Sequence, residues 1–154
     1  MTSNVMKLDA FTATYEYAAY ELGEERTVYD DTWGWRTYVF VQNSEAATNF
    51  ALGECVVTEG AVNYWLGNRS AVAGLQNVSV LGIALGVVAF TNYCWLLKKG
   101  RGYGLGDGAV AAADVVTSHT AGAMDTWAAG EGAIGVAETD DDAVSLLFSG
   151  YFDI

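Results

Sequence analysis

"VSVLGIALGVVAFTNYCWLLKKGRGYGLGDG" (residues 78–108) admits two very different folds. Residues 78–97 carry no charge and are followed by Lys98, Lys99 and Arg101. They also hold Gly82 and Gly86 at the small-xxx-small spacing of packed membrane helices. An internal echo points the other way. "LGIA" (81–84) returns as "IGVA" (134–137), and each copy is followed by a second apolar run closed by glycine, "WLLKKGRGY" (95–103) and "SLLFSGYF" (145–152). In the second copy "ETDDDA" separates the two runs, and that many carboxylates do not lie in hydrocarbon. One architecture for both copies is a strand, a turn and a second strand, so no membrane span is expected. Asn92 and the β-branched and aromatic content of the first copy fit the same reading.

The end of the stretch, "KKGRGYGLGDG" (98–108), places Gly100, Gly102, Gly104, Gly106 and Gly108 at every second position. A dinucleotide fingerprint requires G-x-G-x-x-G, but from Gly100 the sixth residue is Leu105 and from Gly102 it is Asp107. No Lys-Ser/Thr pair closes a Walker loop, and Ala-Val-Ala preceded by Asp is a poor helix start for holding phosphate. The run is therefore expected to be a loop that turns away from the preceding strand and crosses a surface in extended form. Its Lys98, Lys99 and Arg101 are three of only seven basic residues, which makes them candidates for contact with an acidic partner surface.

Outward from this stretch, "WRTYVFVQN" (35–43) alternates. Trp35, Thr37, Val39 and Val41 fall on one side; Arg36, Tyr38, Phe40 and Gln42 fall on the other. "SEAATNFALGE" reads as a loop or short helical turn, "ECVVTEG" as a short strand, and "AVNYWLGNRSAVAGLQN" as a strand and loop. "GAVAAADVVTSH" is the one plausible short helix. Residues 1–35, rich in aromatics and acids, read as an arm or edge segment in which Tyr15 and Tyr17 alternate as on a strand, although helical phasing also fits 15–22. Such an arm either lies across a neighbouring subunit or packs on its own domain. Residues 36–154 form a single β-domain in this reading. Short strands separated by Gly, Asn and Asp turns indicate an all-β fold, a small barrel or sandwich with little helix.

Composition narrows the function. The 154 residues are 52% hydrophobic, enough for one domain with a real core. Nineteen acidic against seven basic residues give a net charge of −12, which argues strongly against nucleic-acid binding, since that needs Lys and Arg to displace counterions. The start "MTSNVMKLDAF" lacks the basic and apolar regions of a secretory signal. Cys55 and Cys94 lie in apolar runs and are expected as buried thiols, with a disulfide left to geometry.

Catalytic machinery is not evident. The lone His119 precludes a two-histidine metal site, and neither it nor Ser118 sits in a nucleophile context. Glu138, Asp140, Asp141 and Asp142 offer oxygen ligands for calcium but lack the alternating layout of a calcium-binding hand, so a solvated turn is expected. No cofactor is implied, and the chain is not expected to be an enzyme. Of the five tryptophans, Trp33 and Trp127 sit among Gly, Asp, Thr and Ala and are the better interface anchors.

Taken in order, "ELGEE", "WGWRTYVFVQNSEAATNFALGECVV", "GIALGVVAFTNYCWLLKKG", "TAG" and "GEGAIGVAETDDDAVSLLFSGYF" resemble the capsid decoration, or head cement, proteins of tailed bacteriophages. The match rests on Tyr93-Cys94-Trp95 with Gly100, flanked by Gly82-Ile83-Ala84 and Gly135-Val136-Ala137, and it spans roughly residues 21–154. The resemblance implies a β-rich virion protein on the outer surface of the capsid. It would bind the major capsid protein, bridge neighbouring subunits and form a homo-oligomer, with a trimer favoured. Tail or fibre components and carbohydrate-binding β-domains share the same composition and remain the alternatives.

Overall fold

Alternation in 34–43 produces the central strand of the molecule, and its neighbours follow from where each face is buried. The computed structural model describes residues 11–58, 64–69, 80–129 and 131–154. Among these, eleven strands form one mixed sheet. They are β1 (Thr14–Tyr15), β2 (Glu25–Asp30), β3 (Gly34–Asn43), β4 (Cys55–Thr58), β5 (Leu66–Arg69) and β6 (Val80–Ala84). The remainder are β7 (Tyr93–Leu105), β8 (Val115–Ser118), β9 (Met124–Thr126), β10 (Ala133–Ala137) and β11 (Leu147–Asp153). The fold is all-β, as expected.

Pairings run β2-β3-β5-β4-β6-β7-β11-β10-β8-β9, and β3 also pairs with β7. The circuit β3-β5-β4-β6-β7 therefore closes on itself, antiparallel throughout except for the parallel β3–β5 step. Closure removes edges from these five strands. It also buries both of their faces. Val39, Val41, Val56, Ala84, Cys94 and Leu96 point into the ring with Phe50 and Val88. The alternate residues Tyr38, Phe40, Cys55, Ile83, Trp95 and Leu97 point out of it into a second core. Phe148 and Phe152 of β11, Val116 of β8 and Met124 of β9 cover that second core.

Two-sided burial explains why residues 80–84 and 93–97 resemble a membrane span: strands buried on both faces read as continuous apolar runs. Among the described residues no helix is long and apolar enough to cross a membrane. The echo is structural as well. "LGIA" lies in β6, which pairs antiparallel with β7, and "IGVA" lies in β10, which pairs antiparallel with β11.

Two expectations are corrected. The glycine run is not a loop: β7 continues through Leu105 and pairs residue by residue with β11, from Lys99↔Asp153 to Leu147↔Leu105. The alternation that looked like flexibility is the period of a strand, with glycines at the inward positions. The helix proposed in 108–119 is also absent. Ala113 has φ +73°, the Asp114 carboxylate accepts a hydrogen bond from the Ala111 amide at 2.9 Å, and the β-branched Val115, Val116 and Thr117 enter β8. Only a 3₁₀ turn, Thr120–Gly122, follows.

Within the N-terminal segment, Phe11, Tyr15, Tyr20, Leu22 and Val28 pack against the outer core of the same chain; residues 1–10 lie outside the described residues. Phe11 is buried and stacks on Tyr38 at 4.2 Å, while Tyr20 contacts Phe40 and Trp95 at 5.2 and 5.1 Å. The segment thus closes an aromatic cluster over the outer core. Both cysteines are free and buried, Cys55 in the outer core and Cys94 inside the ring, so the sheet separates them. Burial pushes each thiol up to about 12.

Candidate interaction face and arginine cavity

β3 and β7 carry several of the exposed residues, among them Trp35 and Tyr103. A register shift between Thr37 and Tyr38, opposite Lys99 and Leu97, leaves Lys98 as an extra residue in β7. Beyond it Gly100, Gly102 and Gly104 are buried, while Lys99, Arg101 and Tyr103 point outward. Inward side chains would not fit: a Cβ on Gly102 would lie 2.6 Å from Leu97 Cδ2, and one on Gly104 would lie 2.5 Å from Phe148 Cζ. Close approach of these side chains is what the glycines permit.

The outward positions line up in two groups, one on β2 and β3 and one running from β7 to β8. Tyr29 is opposite Trp35, Arg101 opposite Tyr151, Tyr151 opposite Val136, and Val136 opposite Val115. Every apolar member of these groups is exposed, Trp35 most of all at 68%. Tyr29 and Trp35 meet edge to face at 5.5 Å. Exposed aromatic and aliphatic groups of this kind on a sheet face are a common feature of protein interfaces.

The basic residues of the run are each paired with a carboxylate of the chain. Lys98 pairs with Glu25, Lys99 with Asp153 at 3.1 Å, and Arg101 with Glu138 at 2.8 Å. Arg26, Arg36 and Arg69 are likewise paired with carboxylates of the chain. Every lysine and arginine among the described residues therefore already has an internal counter-ion. The acidic cluster is equally occupied and is more than a solvated turn. Asp141 accepts from the amides of Gly108 and Val110, Asp140 from that of Ala112, and Asp142 from those of Val144 and Ser145. Asp140 and Asp141 thereby tie segment 108–112 to the β10–β11 connection.

The remaining candidates are dispersed. Tyr15 turns inward against Tyr20 and Phe40, and burial together with its hydrogen bond to Tyr20 pushes its hydroxyl up to about 12. Tyr17 is exposed. Trp127 follows the edge strand β9, with its indole N–H donating to the Glu131 carbonyl at 2.7 Å. Trp33 precedes β3, so the two tryptophan anchors sit near opposite ends of the strand order.

Trp33 forms a site with residues that sequence reasoning did not single out. Its ring meets Tyr103 edge to face at 5.2 Å, and the Arg36 guanidinium lies 5.9 Å from its centroid. Together with Thr12, Leu85 and Gly102 these residues line a cavity of about 280 Å³. Arg36 is 8% exposed, and its Nη1 reaches Asp30 Oδ2 at 3.4 Å. The Arg36 Nε is buried with no hydrogen-bond partner among the described residues. The other Asp30 oxygen accepts from the Thr32 and Trp33 amides at 2.7 and 3.1 Å, fixing the turn that presents Trp33. A signal for this site was legible: alternation already placed Arg36 on the same side as Tyr38 and Phe40, which puts a charge on a core face.

A second grouping had no such signal. Asp107, His119 and Asp125 converge, with one ligand atom from each within 4.8 Å of the others, a set able to hold a metal ion. They come together because Gly106 bridges to Met124 and β8 pairs with β9. No spacing in the sequence announces it.

No protein-family model and no curated protein matches the sequence. Among solved structures the chain is similar to the head fiber gp8.5 N base of bacteriophage phi29, with a TM-score of 0.53 and 10% identity, over 75% of this chain and 94% of that one. At that identity the likeness is one of fold, and the fold is one found in a protein of a bacteriophage head.

Proposed function

We propose that the chain is a structural protein of a tailed-phage head, seated on the outer surface of the capsid, where it bridges major capsid subunits as a homo-oligomer, with a trimer favoured. The observation that carries this reading is the fold shared with a phage head-fibre base, together with the sequence resemblance to decoration proteins. A net charge of −12 with all described bases internally paired supports a role away from DNA. The exposed Tyr29, Trp35, Tyr151, Val136 and Val115 supply the apolar contact that a like-charged assembly needs. Repeated over many capsid positions, modest contacts reinforce a shell through multivalency. The reading assigns no catalysis, nucleic acid or membrane to the chain.

Binding to expanded and unexpanded empty heads tests it. Saturable binding to the expanded lattice with a raised disruption temperature is the expected outcome; binding to neither would sink the reading. The fibre-base alternative is favoured by the coverage of the phi29 base domain. It predicts attachment without any gain in disruption temperature.

A further inference from the structure

We propose that the cavity lined by Trp33, Arg36 and Tyr103 is a carboxylate-binding site in which Arg36 holds the anion. The inference does not depend on where the chain works. Among the described residues Arg36 is the one charged group in the cavity wall, and around it stand two aromatic rings, Leu52, Leu85 and the bare backbone of Gly102. A guanidinium taken this far out of water needs acceptors for its donors. Asp30 supplies a single contact at 3.4 Å, long for a charge-assisted bond, and Nε has no acceptor among the described residues. The unfilled donor belongs to a buried side chain lining a cavity large enough for a small ligand.

Charge and shape select the ligand. Asp30 already places one negative charge beside Arg36, so a single guanidinium favours a monoanion over a doubly charged phosphate. A planar carboxylate matches the planar fork of arginine. The rings of Trp33 and Tyr103 and the two leucines suit an apolar body attached to it. Gly102 belongs to the design, since a Cβ there would lie 3.4 Å from Arg36 Nη2 and 2.6 Å from Leu97 Cδ2. Two sources offer this chemistry: a free small acid, or an Asp, Glu or C-terminal carboxylate of another chain.

Side-chain Nε–Hε NMR signals of the full chain test the site, with the Arg36 signal assigned through Arg36→Lys. Phenylacetate is expected to shift the Arg36 signal and the Trp33 indole signal saturably, and its neutral counterpart phenylacetamide should bind at least about tenfold more weakly. An acetylated, amidated tetrapeptide with one glutamate, compared with its glutamine version, forms the second arm. Binding of the glutamate peptide assigns the site to a protein partner; binding of phenylacetate alone assigns it to a small acid. Trp33→Ala and Tyr103→Ala, changes at the cavity rim, should each weaken binding about tenfold and carry the test if Arg36→Lys does not fold. An Arg36 signal that neither acid moves, or that phenylacetamide moves equally, overturns the proposal.

Discussion

Strand β7 contains two regions that share a backbone and little else. Tyr93–Leu97 pairs with β3 and β6 and is packed on both faces, whereas Lys99–Leu105 pairs with β11 and is packed on one. In the first region the side chains are large and apolar because each enters a core, Cys94 and Leu96 inside the ring, Trp95 and Leu97 outside it. In the second, glycine alternates with Lys, Arg and Tyr, since the inward positions must admit Leu97, Phe148 and Phe152 from elsewhere. The core there is filled by neighbours rather than by the strand itself. One strand can therefore build a core with its own side chains or by withholding them.

Trp95→Ala would break the first region most severely. It removes the ring that Phe11, Tyr20 and Phe40 surround and should cost about 3–5 kcal/mol, read from chemical denaturation. Gly104→Ala tests the second by adding what the strand withholds. The new methyl meets Phe148 and should cost about 1–3 kcal/mol, while Tyr103→Ala, one residue away and outward, should stay within about 1 kcal/mol. Equal effects of these two changes would dissolve the distinction between inward and outward positions.

Two carboxylates sharpen the contrast between packed and open regions through pH. Burial raises the pKa of Glu54 above its usual 4.5, outweighing the Ala51 amide and Arg69, which lower it. The folded state then holds the proton more tightly, so the stability contributed is full below the unfolded pKa and lost as pH rises through the folded value. Asp142 is the reverse: hydrogen bonds from the Ser145 and Val144 amides and the Ser145 hydroxyl depress it below 3.8. Its contribution is present above 3.8 and lost as pH falls through the depressed value. Urea midpoints measured across the acid range should show the wild type gaining on Glu54→Gln and losing its advantage over Asp142→Asn as pH falls. Slopes of the same sign for the two variants would contradict the assignment.

The smallest effect concerns the cysteines. Neither Cys55 nor Cys94 should react with a maleimide at mildly alkaline pH until the protein unfolds, although one lies inside the ring and the other outside. Rapid labelling of one thiol in the native protein would show that its region of the sheet opens locally.

Much of this fold was legible in the sequence. Period-two alternation in 35–43 marked β3 and both of its faces, and the repeat of "LGIA" as "IGVA" marked two antiparallel pairs. The glycine run was misjudged because a strand whose inward residues lack side chains has no hydrophobic signal of its own. The helix in 108–119 was suggested by alanine, but Asp114 and the left-handed Ala113 stop it before it starts. Of the candidate contacts, Trp33 joined a site, while Lys98, Lys99 and Arg101 were taken by the chain's own acids. Pairing of surface charges depends on which strands become neighbours, and residues 37 to 73 positions apart in sequence carry no mark of that.

What the sequence determined by itself is the β class, the alternation of individual strands and the strongly acidic balance, because these depend on local period and composition. Only the tertiary structure decided that five strands close on themselves, that Gly104 receives the rings of Phe148 and Phe152 from β11, and that Arg36 comes to rest in one cavity wall with Trp33 and Tyr103. Each of these requires segments distant in the chain to meet, and the energy that brings them together lies in the contact and not in either segment alone.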